Sequence, residues 1–135
     1  MKWSEIERKL KEEKTSVKHD NEEHRIQCSC VAWFRMQYPK FGSLLFAIPN
    51  GGRRDAITGK SLKDEGVIRG VADLMLAIPN GKYHALFIEM KTASGRQSKE
   101  QVLFQRMVEA QGYRYVVCHS LEEFIKCIKI YILMK

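Results

Sequence analysis

At 135 residues, 44% hydrophobic and 29% charged, the chain is long enough to bury one core without disulfide or metal staples. No apolar run is long enough to span a bilayer, and the opening MKWSEIERKLKEEK lacks the apolar segment of a secretory leader, so membrane and secreted classes are set aside and a cytoplasmic location is expected. The formal charge of +7 favours a polyanionic partner, nucleic acid first, although such a charge also serves solubility.

The stretch SEIERKLKEEK is charged throughout, with Ile6 and Leu10 one turn apart. It predicts a helical arm over residues 1–20, ahead of a globular domain over 21–135. A second helix is expected from Asp20 or Asn21, either of which can cap it, to Pro39, which stops it. Ile26, Cys30, Trp33 and Phe34 form its buried stripe at helical spacing. SLLFAI (43–48) has the length of a buried strand, ended by the PNGG that follows. ITGKSLKDEG contains a short helix closed by Gly66. GVADLMLAI and KYHALFIEMK are strands joined by a second PNG. Ser98 and Gln101 form a capping box opening a helix that Gly112 ends. YRYVVC (113–118) is a strand, and a second box, Ser120 with Glu123, opens a last helix to about Leu133. This order makes an α/β domain with a mixed sheet.

Three local signals are set aside. Cys28, Cys30, Cys118 and Cys127 form no C-x-x-C pair, so reduced, mostly buried thiols are expected, against the alternative of zinc held by His24 and Cys28. TGKS (58–61) imitates a phosphate loop, but that motif requires glycine where Arg54 stands. His84 is assigned no role.

AIPNG occurs twice, at 47–51 and 77–81. Both copies end a strand, but only the second is expected to return as a hairpin, so they are not a repeat. Pro79, Asn80 and Gly81 suit a three-residue loop with a left-handed glycine. That loop pairs Ile78 with Lys82, so facing residue numbers sum to 160. Leu74, Leu76, Ile78, Leu86, Ile88 and Met90 then share one apolar face. Asp73, Phe87, Glu89 and Lys91 share the other, whereas a two-residue loop would part Asp73 from Glu89. Charged groups on central strands are costly unless they serve each other or a ligand.

Two neighbouring carboxylates repel, and a hard divalent cation with oxygen ligands relieves the repulsion. The backbone carbonyl of Met90 can add a ligand. Lys91 is placed to orient or deprotonate a water and to neutralise developing charge, which suits metal-assisted attack of water on a phosphodiester. A structural salt bridge between Lys91 and the carboxylates is the alternative. E-x-K also occurs at 7–9 and 12–14, but only at 89–91 does it lie on an apolar strand. After the first AIPNG, Asn50, Arg53 and Arg54 belong to a basic loop that either holds phosphates through amides and guanidinium groups or is simply solvated.

An acidic residue at a strand end, followed by a return reading Glu-x-Lys, resembles the signature of PD-(D/E)XK nucleases. EHRIQ, IPNGG, GVIRGVADLML, LFIEMK and SKEQ, in that order, resemble the virus-type replication-repair nuclease (VRR-NUC) branch. The chain departs from the superfamily name at Ala72, where proline is written.

The resemblance implies a restriction-endonuclease-like core, a mixed central sheet flanked by helices. It implies that Asp73 and Glu89 are metal ligands and that Lys91 is the catalytic lysine. Glu23 would complete the acidic site directly or through metal-bound water, and Gln101 would point back toward it. Read from the residues alone, Glu23 also fits a capping box begun by Asp20, and Gln101 completes the box of Ser98. The implied activity is a DNA endonuclease using Mg2+ or Mn2+. The implied setting is a homodimer acting on branched DNA, such as four-way junctions, in phage or prophage replication and repair within the bacterial cytoplasm. The alternatives are a non-catalytic nucleic-acid-binding module on the same scaffold, and a duplex-cutting or exonuclease member of the superfamily.

Overall fold

The computed structural model describes residues 2–49 and 56–135. Helix α1 (Trp3–Gln37) is unbroken over 35 residues, where two helices were expected. Nothing between Glu12 and Asn21 is glycine or proline, so no residue there forces a break. Asp20 and Asn21 therefore lie inside the helix rather than capping a new one. At 1.5 Å per residue α1 is about 50 Å long. It stops ahead of Pro39, as expected, and Pro39–Leu44 form a 3-10 turn. That turn takes up the first part of the expected strand, leaving β1 as Leu45–Ala47.

The remaining elements are α2 (Ala56–Asp64), β2 (Leu74–Leu76), β3 (Leu86–Met90), α3 (Lys99–Ala110), β4 (Arg114–Cys118) and α4 (Leu121–Leu133). The sheet order is β1-β2-β3-β4. The first two pairings are antiparallel and the last is parallel, so the sheet is mixed, as the element order indicated. α3 is the crossover that a parallel neighbour requires. Leu74, Leu76, Leu86, Ile88 and Met90 bury one sheet face against Cys30 and Phe34 of α1 and Phe124, Ile128 and Tyr131 of α4. Ile78 packs at the border of this cluster. On the other face, Phe104 and Val108 of α3 cover Ala72, Phe87 and Tyr115. Each wholly buried leucine or isoleucine contributes about 2 kcal/mol of transfer free energy, so these rows hold the layers together.

The β2–β3 register differs from the expected one by two residues. Leu74 faces Ile88 and Leu76 faces Leu86, so the sum is 162 rather than 160. The strands do not close into a three-residue hairpin, and Gly81 is not left-handed: the described residues with positive φ are Gly66, Gly70 and Gly112. Asn80 explains the difference. Its Oδ1 accepts the amides of Lys82 (2.9 Å) and Tyr83 (2.7 Å), and its Nδ2 donates to the Tyr131 carbonyl (3.0 Å). The Tyr131 hydroxyl donates to the Ile78 carbonyl (2.6 Å). Groups that a tight ladder would satisfy are thus satisfied by one side chain and by α4. A slip of two keeps every side chain on its expected face. Extended by one residue, it sets Asp73 across from Glu89 instead of Phe87.

The capping boxes divide. That of α3 is complete, with Ser98 Oγ accepting from the Gln101 amide (3.2 Å) and Gln101 Oε1 from the Ser98 amide (2.8 Å). That of α4 is half-formed. Ser120 Oγ accepts from the Glu123 amide (3.1 Å), but the Glu123 carboxylate turns to the His119 amide (2.7 Å). That bond holds its carboxyl below the usual range. The four cysteines form no disulfide; Cys30 and Cys118 are buried, Cys127 half-buried and Cys28 exposed. Cys28 lies 3.5 Å from His24, and among the described residues no third ligating side chain joins them.

Candidate active site

Because side chains alternate along a strand, Glu89 points away from the α1–α4 core and toward α3. It is 0% exposed. Its Oε1 accepts the Tyr115 hydroxyl and Gln97 Nε2 (3.3 Å). Gln97 Nε2 also donates to Gln105 Oε1 (2.8 Å). Glu89 Oε2 is buried and accepts no hydrogen bond among the described residues. Lys91 Nζ lies 3.7 Å from it, on a side chain 15% exposed. The Lys91 amide donates to the Cys118 carbonyl (2.9 Å), which fixes the backbone beneath that ammonium to the end of β4. Asp73 stands immediately before β2. Its carbonyl accepts the Ile48 amide (2.8 Å), and its Oδ2 accepts the Met90 amide (2.6 Å).

Burial pushes the Asp73 carboxyl up to about 6; the Met90 amide opposes this, the charges of Glu23 and Glu89 add to it, and Lys91 counters it. Burial, and then the bond to Glu89, raise the Tyr115 phenol, so Tyr115 is a protonated donor at neutral pH. The arrangement does not resemble a settled salt bridge. A structural pair normally satisfies both oxygens of a buried carboxylate, and leaving a buried polar atom unmet costs about 1–3 kcal/mol, more for a charged group. Here one ammonium faces two carboxylates, with a third acting on Asp73. Among the described residues no three His, Cys, Asp or Glu side chains gather closely enough to cage a metal unaided. Two facing carboxylates and one unmet buried oxygen are nevertheless a hard-oxygen donor set of the kind divalent cations take, with water filling the remaining positions.

The fold brings Asp73, Glu89 and Lys91 together, with Met90 between the last two. Glu23, half-buried on α1, is felt by Asp73 but is not gathered into a three-donor cluster. Because α1 runs through residue 20, the capping reading of Glu23 lapses. The Gln101 side-chain oxygen is committed to the α3 cap. Asn50, Arg53 and Arg54 lie outside the described residues. Sequence reasoning missed Tyr115, Gln97 and Gln105. Tyr115 sits in a recognisable strand, but only the β3–β4 register, Phe87 facing Tyr115 and Glu89 facing Val117, places its hydroxyl near Glu89. No local pattern carries that register.

The sequence matches the VRR-NUC domain over residues 7–122. Among solved structures, the fold is similar to a VRR-NUC domain protein, with a TM-score of 0.72 and 26% identity over 82% of this chain and 87% of that one. No curated protein matches the chain. No described helix is long and apolar enough to cross a membrane.

Proposed function

The chain belongs to the VRR-NUC domain family, and on that premise, which makes it a nuclease of the PD-(D/E)XK type, we propose that it is a metal-dependent DNA endonuclease selective for branched DNA. The observation that carries the reading is Glu89, buried across from Asp73 with one oxygen unmet and Lys91 3.7 Å away. Asp73 and Glu89 would hold a divalent cation, Mg2+ or Mn2+, with the Met90 carbonyl, and Glu23 would complete the site directly or through water. The bound cation supplies Lewis acidity toward the phosphate. Lys91 orients the attacking water and, as an ammonium, meets the charge that develops on the phosphate oxygens. Burial against α3 keeps bulk water from screening these charges. Asn50, Arg53 and Arg54 hold flanking phosphates. A four-way junction offers two scissile strands and one domain offers one site, so the acting species is a homodimer. The setting is phage or prophage replication and repair in a bacterial cytoplasm.

The test compares cleavage of a four-way junction, a flap, linear duplex and single-stranded DNA, each with magnesium, manganese or chelator. Paired junction cuts that vanish with chelator are expected. Lys91→Ala should lower the rate by about 10³-fold, a loss in the range seen when one electrostatic stabiliser is removed, while the protein stays folded. Indifferent cutting of all four substrates removes the branched-DNA selectivity. Binding without cutting under either metal leaves only a nucleic-acid-binding module.

A further inference from the structure

Glu89 is held unevenly. A carboxylate offers two oxygens and about four lone-pair sites, yet among the described residues both hydrogen bonds given to this one fall on Oε1. The donors come from separate parts of the chain. Tyr115 lies on β4, buried beside Glu89, and Gln97 lies just ahead of α3. The Gln97 amide is itself fixed by Gln105, two turns into α3. Oε2, equally enclosed, accepts no hydrogen bond among the described residues and lies 3.7 Å from the Lys91 ammonium. A carboxylate merely accommodated in a core would divide its donors between its oxygens.

We propose that Tyr115 and Gln97 are positioning residues that clamp Glu89 through Oε1, so that Oε2 is the single Glu89 oxygen offered to a divalent cation. This rests on the metal-dependent reading above. The clamp stops the carboxylate from presenting both oxygens together. It also keeps Oε2 on the side of the Lys91 ammonium, 3.7 Å away. Gln105 acts one step further back, by keeping the Gln97 amide turned toward Glu89.

The experiment uses the full chain with Mn2+ alone as the probe. Calorimetric titration and thermal unfolding are run on the wild type, Tyr115→Phe, Gln97→Leu, the double variant and Lys91→Ala. The manganese Kd should rise at least fivefold in each single clamp variant. The double variant should lose less than the product of the two, because both donors serve one oxygen. In cleavage assays both clamp variants should lose kcat at limiting manganese, keep KM for DNA, and recover kcat at saturating manganese, a rescue that general loosening of the fold would not give. Lys91→Ala should bind manganese at least as tightly as the wild type, since it removes a like charge beside the site, and fail to cut. Wild-type manganese affinity in both clamp variants, with wild-type cleavage intact, overturns the positioning role and leaves the nuclease reading standing. A wild type that binds no manganese overturns both. If Tyr115→Phe does not fold, Gln97→Leu, altered at a half-buried loop position, carries the comparison.

Discussion

At Asp73 the fold retains a carboxyl whose charged form it disfavours. Its folded pKa of about 6 stands above the ordinary 3.8. Between those values the folded protein holds a proton that the unfolded chain has released, so this group's contribution to stability is fully present below 3.8 and is lost as pH rises through about 6. Discounted for partial exposure, the loss is on the order of 2 kcal/mol above that window. Asp73→Asn should therefore raise the thermal midpoint at pH 7.5 in chelator, change it little at pH 4, and cut DNA at least about 100-fold more slowly. Differential scanning calorimetry across that range checks the sign, and an unchanged or lowered midpoint at pH 7.5 contradicts it. Tyr115 and Gln97 illustrate what single-residue reading misses. Asp73, Glu89 and Lys91 announce themselves by charge on apolar strands, whereas a tyrosine and a glutamine are ordinary wherever they fall. Their meaning comes from a register set by distant chain.

Gly70 shows the same dependence among elements. It holds φ +92°, and a Cβ there would lie 2.7 Å from Glu100 Cβ and 2.8 Å from the Glu100 carbonyl carbon. The loop leading to Asp73 thus passes directly against the first turn of α3. Gly70→Ala combines backbone strain with a backbone clash, and should cost about 3 kcal/mol and roughly 10 °C in midpoint. Gly66, at φ +102° but with nothing within 4 Å, is the control, expected to cost about 1 kcal/mol as alanine. Equal losses would remove the packing argument. Elements with one buried face were legible in advance. The parity of β2 and β3 follows from Leu74, Leu76, Leu86, Ile88 and Met90, which must all face the core. What was not legible depended on remote groups. The two-residue slip rests on Asn80 reaching Tyr131, 51 residues away, and the continuity of α1 rests on the absence of a breaker in a stretch whose local caps suggested one.

For the whole molecule, we propose residues 1–20 as an arm and 21–135 as the nuclease domain. The core anchors on α1, Cys30 and Phe34, lie beyond residue 20, and the described side chains near the start of α1, Trp3 among them, are largely exposed. A chain beginning at Asn21 should keep its midpoint within about 4 °C, the shift that roughly 1 kcal/mol produces; a loss of cooperative unfolding would move the boundary toward the N-terminus. With a formal charge of +7, binding to DNA in chelator should weaken steeply with salt. A footprint of about five phosphates gives a log–log slope of about −4.5, measurable by fluorescence anisotropy, and a slope of about −1 would argue against a broad basic contact surface. The parallel pairing of β3 with β4 also governs time. The Tyr115 hydroxyl that meets Glu89 lies 26 residues further along the chain, beyond a crossover helix, so the chain must close a long loop before that carboxylate can leave water with its donors in place. Desolvation of the acid is thus expected to follow that closure. Tyr115→Phe, costing about 1–2 kcal/mol, should accelerate unfolding in stopped-flow mixing and leave the refolding rate unchanged.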